Sequence, residues 1–364
     1  MNVFRTACKL LAMAVLAIAP LGWIDGALGQ SLRKVRIVFA QPLPLPAYSF
    51  LYVGRHLGTF TEEGLDVDIT WAASSTVGIQ QLVGGNADVF VGAFDSILAS
   101  LARGQDLGLQ AFYSYQRGNQ VSLVVGADSP VKRARDLQGK TVGVQTLASA
   151  NIINTVKAAL RSDGIDPASV ELVVVGVGLQ AATALNSGRV AAIAQVDTSV
   201  AQIENLGHKV RRLPNSPDAA TISAMMTARR DFIEKNPDLI TRLTRAIIKG
   251  NIFFVENPEA AVRIAYALYP EVKPKDLPED EAIRQGVRLI EARARNQDLP
   301  GGDVPMWGAV SDREWKTYLT FLDVDPAKVP PREQLLTDRF LKDANAFDQD
   351  AYRRWARSYR FQAK

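Results

Sequence analysis

The chain has 364 residues, 47% of them hydrophobic and 22% charged, which is the composition of a globular protein with room for more than one domain. Its 42 Lys and Arg against 38 Asp and Glu leave a formal charge of +4, and the basic residues are scattered rather than clustered, so no nucleic-acid surface is expected. One cysteine and two histidines exclude thiolate metal sites, disulfide frameworks and multi-histidine metal centres.

The chain opens with Arg5 and Lys9, an apolar run from Leu10 to Leu21, and the small residues Ala27 and Gly29. A basic start, a short apolar stretch and small residues at −3 and −1 read as a secretory signal peptide spanning 1–29, and about 20 apolar residues would be needed to span a bilayer. Cys8 lies inside this leader, so the exported chain is expected to lack cysteine, to carry no metal and no cofactor, and to reside in the periplasm.

From Val35 onward short β-rich runs alternate with helical patterns. Val35–Ala40 reads as a buried strand, Ser49–Phe60 as a helix, and Leu65–Trp71 as a strand with Leu65, Val67, Ile69 and Trp71 on one side. Ser74, Ser75 and Thr76 open a helix to Val83, followed by a strand at Asp88–Gly92 and a helix to Ala102. The alternation continues with a strand at Thr141–Gln145, a helix at Ser149–Arg161, a strand at Val170–Val175, a helix to Ser187 and a strand at Val190–Val196. Such alternation predicts an α/β fold built from βαβ units.

Val77-Gly78-Ile79-Gln80 and Val177-Gly178-Leu179-Gln180 suggest that two lobes share one construction. The expected division is a first lobe of 30–123 and 218–364 and a second lobe of 124–217, with crossovers near 117–126 and 213–222. Beyond a strand at Thr221–Thr227 the pattern turns helical. Pro237, Pro258 and Pro278 each stand at or near a first helical turn, where a missing N–H costs nothing.

Two chemistries compete for the site. Gly176, Gly178 and Ala181 form G-x-G-x-x-A after a strand, with Asp197 about twenty residues on, as a dinucleotide fingerprint requires. This is the alternative reading, an exported NAD(P)-dependent oxidoreductase; the plainer one makes both glycines backbone turns. The main reading places a ligand at the C-terminal ends of the strands. There Gln41, Ser74, Ser75, Ser96, Thr146, Ser149 and Thr198 supply hydroxyls and an amide, Pro44, Tyr48, Phe94 and Tyr115 supply apolar surface, and Asp95 and Asp197 supply carboxylates. Ser75 and Ser149 each open a helix whose free N–H groups suit an oxyanion. Arg117 is a further candidate for an anion or a hinge residue.

The segments His56–Val67, Gln81–Val89, Asp136–Val144 and Arg230–Pro237, in this order, resemble the signatures of the nitrate/sulfonate/taurine-type substrate-binding proteins of ABC transporters, a group that includes the pyrimidine-synthase-like proteins. The resemblance implies a two-lobed periplasmic binding protein fold of type II with a double crossover. It also implies a binding protein rather than an enzyme, and a permease in the inner membrane as partner. A monomer and a small organic anion, sulfonate- or carboxylate-like and aromatic or amine-bearing, are expected, with a sensory ligand-binding module as an alternative role. The proline-rich loop 42–46 and the Gln195–Thr198 segment depart from the family pattern.

Overall fold

The computed structural model describes residues 31–147, 149–216, 222–297 and 304–362. The expected signal peptide with Cys8, the residue Thr221 and part of the second crossover lie outside the described residues.

Among the described residues ten strands form two five-stranded sheets. The first contains β1 (Arg33–Phe39), β2 (Leu65–Trp71), β3 (Val89–Ala93), β4 (Leu109–Gln116) and β10 (Ala224–Arg229), in the order β2-β1-β3-β10-β4. The second contains β5 (Val121–Gly126), β6 (Thr141–Val144), β7 (Glu171–Val174), β8 (Ala192–Val196) and β9 (Val210–Arg212), in the order β7-β6-β8-β5-β9. In each sheet three parallel strands are followed by an antiparallel one, β10 in the first and β5 in the second. Each of these antiparallel strands is the first to enter its sheet after the chain has left the other one. This is the double crossover of a two-lobed α/β fold.

Both sheets are covered on two faces, as parallel strands require. Val35, Ile37 and Phe39 of β1 enter one hydrophobic cluster while Val38 enters the other. Val121, Leu123 and Val125 of β5 likewise oppose Val124. The helices Pro237–Glu256, Pro258–Leu268 and Glu279–Ala294 bury Ile247, Phe254, Val262 and Ile290 against the first sheet. Each such side chain contributes about 1.5–3 kcal/mol by leaving water.

Several expectations are corrected. The helix expected over 49–60 is instead a 3-10 turn, Pro46–Leu51, followed by short helices Val53–Leu57 and Thr59–Glu62. Gly58, at φ 83°, breaks the run. Val121–Gly126, read as crossover, is strand β5, so the change of sheet falls at 117–120. Strand β10 starts at Ala224 rather than Thr221. The internal repeat also shifts: Gly78 lies inside the helix Ser75–Val83, where a Cβ would meet the Phe90 ring at 2.7 Å, whereas Gly178 is an N-cap at φ 53°. The two helices occupy corresponding places, each following the edge strand of its sheet, but their glycines do different jobs.

Candidate ligand site

A cavity of about 390 Å³ lies where strand ends of the two sheets face each other. From the first sheet it is walled by Phe39, Ala40, Gln41 and Pro42 after β1, by Ser74, Ser75 and Thr76 after β2, by Asp95 and Ser96 after β3, and by Tyr115 of β4. From the second come Gln145, Thr146, Ser149 and Ile152 after β6 and Val196 at the end of β8. Gln120 of the crossover and Arg293 of the helix Glu279–Ala294 complete the lining. The volume suits a small organic molecule.

Two helices start at the wall. Ser74, not Ser75, caps the helix Ser75–Val83, its Oγ accepting from Val77 N at 3.3 Å. Ser149 caps the helix Ala150–Ser162 as expected, accepting from Ile152 N at 3.4 Å. That second helix end is not free, however. Asp95 of the first sheet reaches across the cavity, and its Oδ2 accepts from Asn151 N at 3.2 Å. A carboxylate of the protein therefore stands where the sequence placed the anionic group of a ligand.

Asp95 is 6% exposed. Its Oδ1 accepts from Ser96 N at 2.7 Å and from Ser96 Oγ at 3.3 Å. Burial pushes its carboxyl above the ordinary aspartate range, and the bonds from Ser96 and Asn151 pull it back in part.

The aromatic wall is built by packing around Phe39. Tyr48 meets it edge-on at 5.0 Å, and Phe50 stacks on Tyr115 at 5.2 Å. Burial raises the hydroxyl pKa of both Tyr48 and Tyr115, so both rings stay neutral. Arg293 lies 5.4 Å from the Tyr48 ring centre.

Arg293 is the main residue that the sequence reading missed. It is 2% exposed and pairs with Asp197 at 2.8 Å, while its Nη1 donates to Gln120 Oε1 at 2.5 Å. Asp197 also accepts from Thr198 N at 2.6 Å and Asn296 Nδ2 at 3.1 Å. Burial pushes the Asp197 carboxyl up, and Arg293 works against that push. Burial also disfavours the Arg293 cation, but Asp197, Tyr48 and Tyr115 hold its pKa above the ordinary value. No sequence signal near position 293 marks this role, because the residue acts across nearly a hundred positions of chain.

The remaining expected residues divide by position. Gln41, Tyr48, Ser74, Ser75, Asp95, Ser96, Tyr115, Thr146 and Ser149 line the cavity. Pro44 does not: it is buried, and its carbonyl accepts from Tyr52 Oη at 3.0 Å. Of the proline wall only Pro42 reaches the cavity. Phe94 is fully buried behind the wall against Trp315, 6.2 Å between ring centres. Asp197 and Thr198 stand one layer back, Asp197 on Arg293 and Thr198 beside the Tyr48 hydroxyl. Arg117 is engaged with Glu314 at 3.5 Å and with the Ala309 carbonyl, away from the lining.

The glycine motif is a backbone turn. Gly176 has φ 69°, and a Cβ there would strike the Gln180 amide. Gln195 Nε2 donates to Gly176 O at 2.9 Å, and Gly178 N donates to Ser199 Oγ at 3.3 Å. The N–H that a pyrophosphate would need is thus spent on Ser199, and Asp197, the expected ribose partner, is spent on Arg293.

A family model described as "NMT1/THI5 like" matches residues 46–261. The chain belongs to this family. Among relatives of the NMT1/THI5-like protein, a formylaminopyrimidine-binding protein of Halalkalibacterium halodurans is 25% identical over 272 residues, covering 73% of this chain and 80% of the relative. The taurine-binding periplasmic protein of Escherichia coli is 25% identical over 293 residues, 78% of this chain and 80% of the relative. The solved periplasmic aliphatic sulphonate binding protein of Escherichia coli superposes with a TM-score of 0.64 at 17% identity, over 84% of this chain and 92% of that one. The fold is that of the periplasmic binding proteins, and the family is the one that the sequence motifs resemble.

Proposed function

We propose that this protein is the exported solute-binding component of an ABC importer, which closes its two lobes around one small organic molecule and delivers it to a permease in the inner membrane. The observation that carries this reading is a cavity whose walls come from both sheets and are joined across it by Asp95 and Asn151. Contacts from two lobes exist together only in a closed form, so a guest that touches both stabilises closure.

In this reading residues 1–29 are a cleaved leader, 30–120 and 218–364 form the first lobe, and 121–217 form the second, the first boundary moving from 123 to 120 because β5 belongs to the second sheet. The protein acts as a monomer in the periplasm and binds rather than transforms its solute. Gln41, Tyr48, Ser74, Ser75, Asp95, Ser96, Tyr115, Thr146 and Ser149 touch the guest, with Pro44, Phe94, Asp197 and Thr198 behind them. The aromatic wall calls for an organic body, and an ion as small as nitrate would leave it unfilled. A carboxylate or sulfonate has one open helix end, at Ser75, and one that Asp95 already occupies.

The test is capture. Protein unfolded and refolded to strip bound solute is incubated with a metabolite extract, re-isolated, and its released compounds are read by mass spectrometry. One small molecule bound at a one-to-one ratio is expected, with a smaller radius of gyration by small-angle scattering. An extract that leaves the folded protein empty, or a compound that returns chemically altered, overturns the reading.

A further inference from the structure

The lining of the cavity carries two charged side chains that differ in their company. Arg293 is matched by Asp197. Asp95 has no Lys, Arg or His within ion-pair distance among the described residues; its partners are two backbone N–H groups and one hydroxyl. A buried carboxylate held by neutral donors alone costs several kcal/mol relative to water. A carboxylate offers about four acceptor positions. Ser96 takes two on Oδ1, Asn151 takes one on Oδ2, and the remaining capacity of Oδ2 is unused.

With the Arg293–Asp197 pair neutral, an ionised Asp95 leaves the lining with a net negative charge. Gln145, another lining residue, has a buried Oε1 with no hydrogen-bond partner. Tyr115 and Phe50, stacked on each other at 5.2 Å, stand in the same wall, and aromatic rings of this kind attract cations.

We propose that Asp95 is the specificity-determining residue of the cavity and that the guest is an organic cation, a protonated amine on an apolar or aromatic body, rather than an organic anion. This rests on the solute-binding reading above. The amine donates to Oδ2 of Asp95, supplying the positive charge that the protein itself withholds, and the body lies against the Phe39, Tyr48 and Tyr115 wall. A sulfonate in the same place would meet a carboxylate at the Ala150–Ser162 helix end and find the guanidinium already taken. Because Asn151 N comes from the second lobe, the group that reads the guest is also bonded across the cleft.

The competing explanation makes Asp95 a cap for the Ala150–Ser162 helix and nothing more. Asp95→Asn, with stability measured beside affinity, separates the two: its one oxygen can accept from Asn151 N while the charge is gone, and a cap alone predicts a change in stability with amine affinity unchanged. The stripped full chain is screened by thermal shift and calorimetry against same-skeleton probes: tyramine and 4-hydroxyphenylacetate, benzylamine and benzenesulfonate. The amines are expected to raise the melting temperature and the anions to leave it unchanged. Asp95→Asn is expected to weaken the better amine at least about tenfold, as loss of a hydrogen bond between charges does. Stabilisation by either anion, or equal amine affinity in Asp95→Asn, overturns the proposal. So does silence from all four probes. In each case the solute-binding reading stands or falls separately, on whether the metabolite extract yields a bound compound.

Discussion

Asp95 and Asp197 hold corresponding positions in the two lobes. Each is the first residue of the helix that follows the third strand of its sheet, Asp95 after β3 and Asp197 after β8. Each is 6% exposed, and each accepts from the backbone N–H of the next residue, at 2.7 and 2.6 Å. The side chain folds back onto the next N–H in both cases although the corners differ, Phe94 before Asp95 being in the helical region and Val196 before Asp197 extended. Their surroundings are opposite. Asp197 faces Arg293, brought from a helix far along the chain, whereas Asp95 faces a helix N-terminus and the cavity. One carboxylate is paired with a cation of the other lobe; the other lines the cavity with no cation beside it among the described residues.

The comparison can be broken first at Arg293. Replacing it with Met leaves Asp197 buried without a countercharge, and urea unfolding should show a loss of about 3–5 kcal/mol. Adding Asp197→Asn should restore a large part of it. If Arg293→Met alone costs less than about 1 kcal/mol, the pair does not hold the lobes together.

The caps give the next effect in size. Ser74 alone caps its helix with a side chain, so Ser74→Ala should cost about 1 kcal/mol. The helix opened by Ser149 has Asp95 as a second acceptor, so Ser149→Ala should cost nearer 0.5 kcal/mol, the low end for such caps. Equal losses in the two variants would remove Asp95 from the capping role.

The smallest effect is a pH dependence. Burial raises the folded pKa of Asp95 above its unfolded value, so the folded state holds the proton more tightly. The stability this contributes is complete below the ordinary aspartate pKa and is lost as pH rises through the raised one. The stability of Asp95→Asn relative to the wild type should therefore improve as pH rises through the raised pKa and worsen as the solution is acidified. A deficit that grows with pH would mean that the ionised Asp95 stabilises the empty protein.

Much of this was legible in the sequence. The strands β1, β2, β3, β6, β7 and β8 and the long C-terminal helices show themselves through period, caps and prolines. Pro237 and Pro258 each stand at the first helical position of their helices. The loops that carry Gln41, Ser74, Asp95, Thr146 and Ser149 follow from strand ends alone, and all five reach the cavity. Strand β5 was hidden because its neighbours Arg117, Gly118 and Asn119 look like linker, and its pairing with β8 and β9 is long-range.

What the sequence by itself determined is the alternation of elements, the family, and which loops lie at the strand ends; these depend on local periodicity and short-range backbone preference. Which loop residues line the cavity was decided by the tertiary structure. Pro44, Phe94, Asp197 and Thr198 have the right residue types in the right loops, yet they lie behind the wall. Arg293 has no local signature at all and yet lines the cavity and neutralises Asp197 behind it. Burial and charge pairing are relations between segments distant in the chain, and no window of sequence contains both partners.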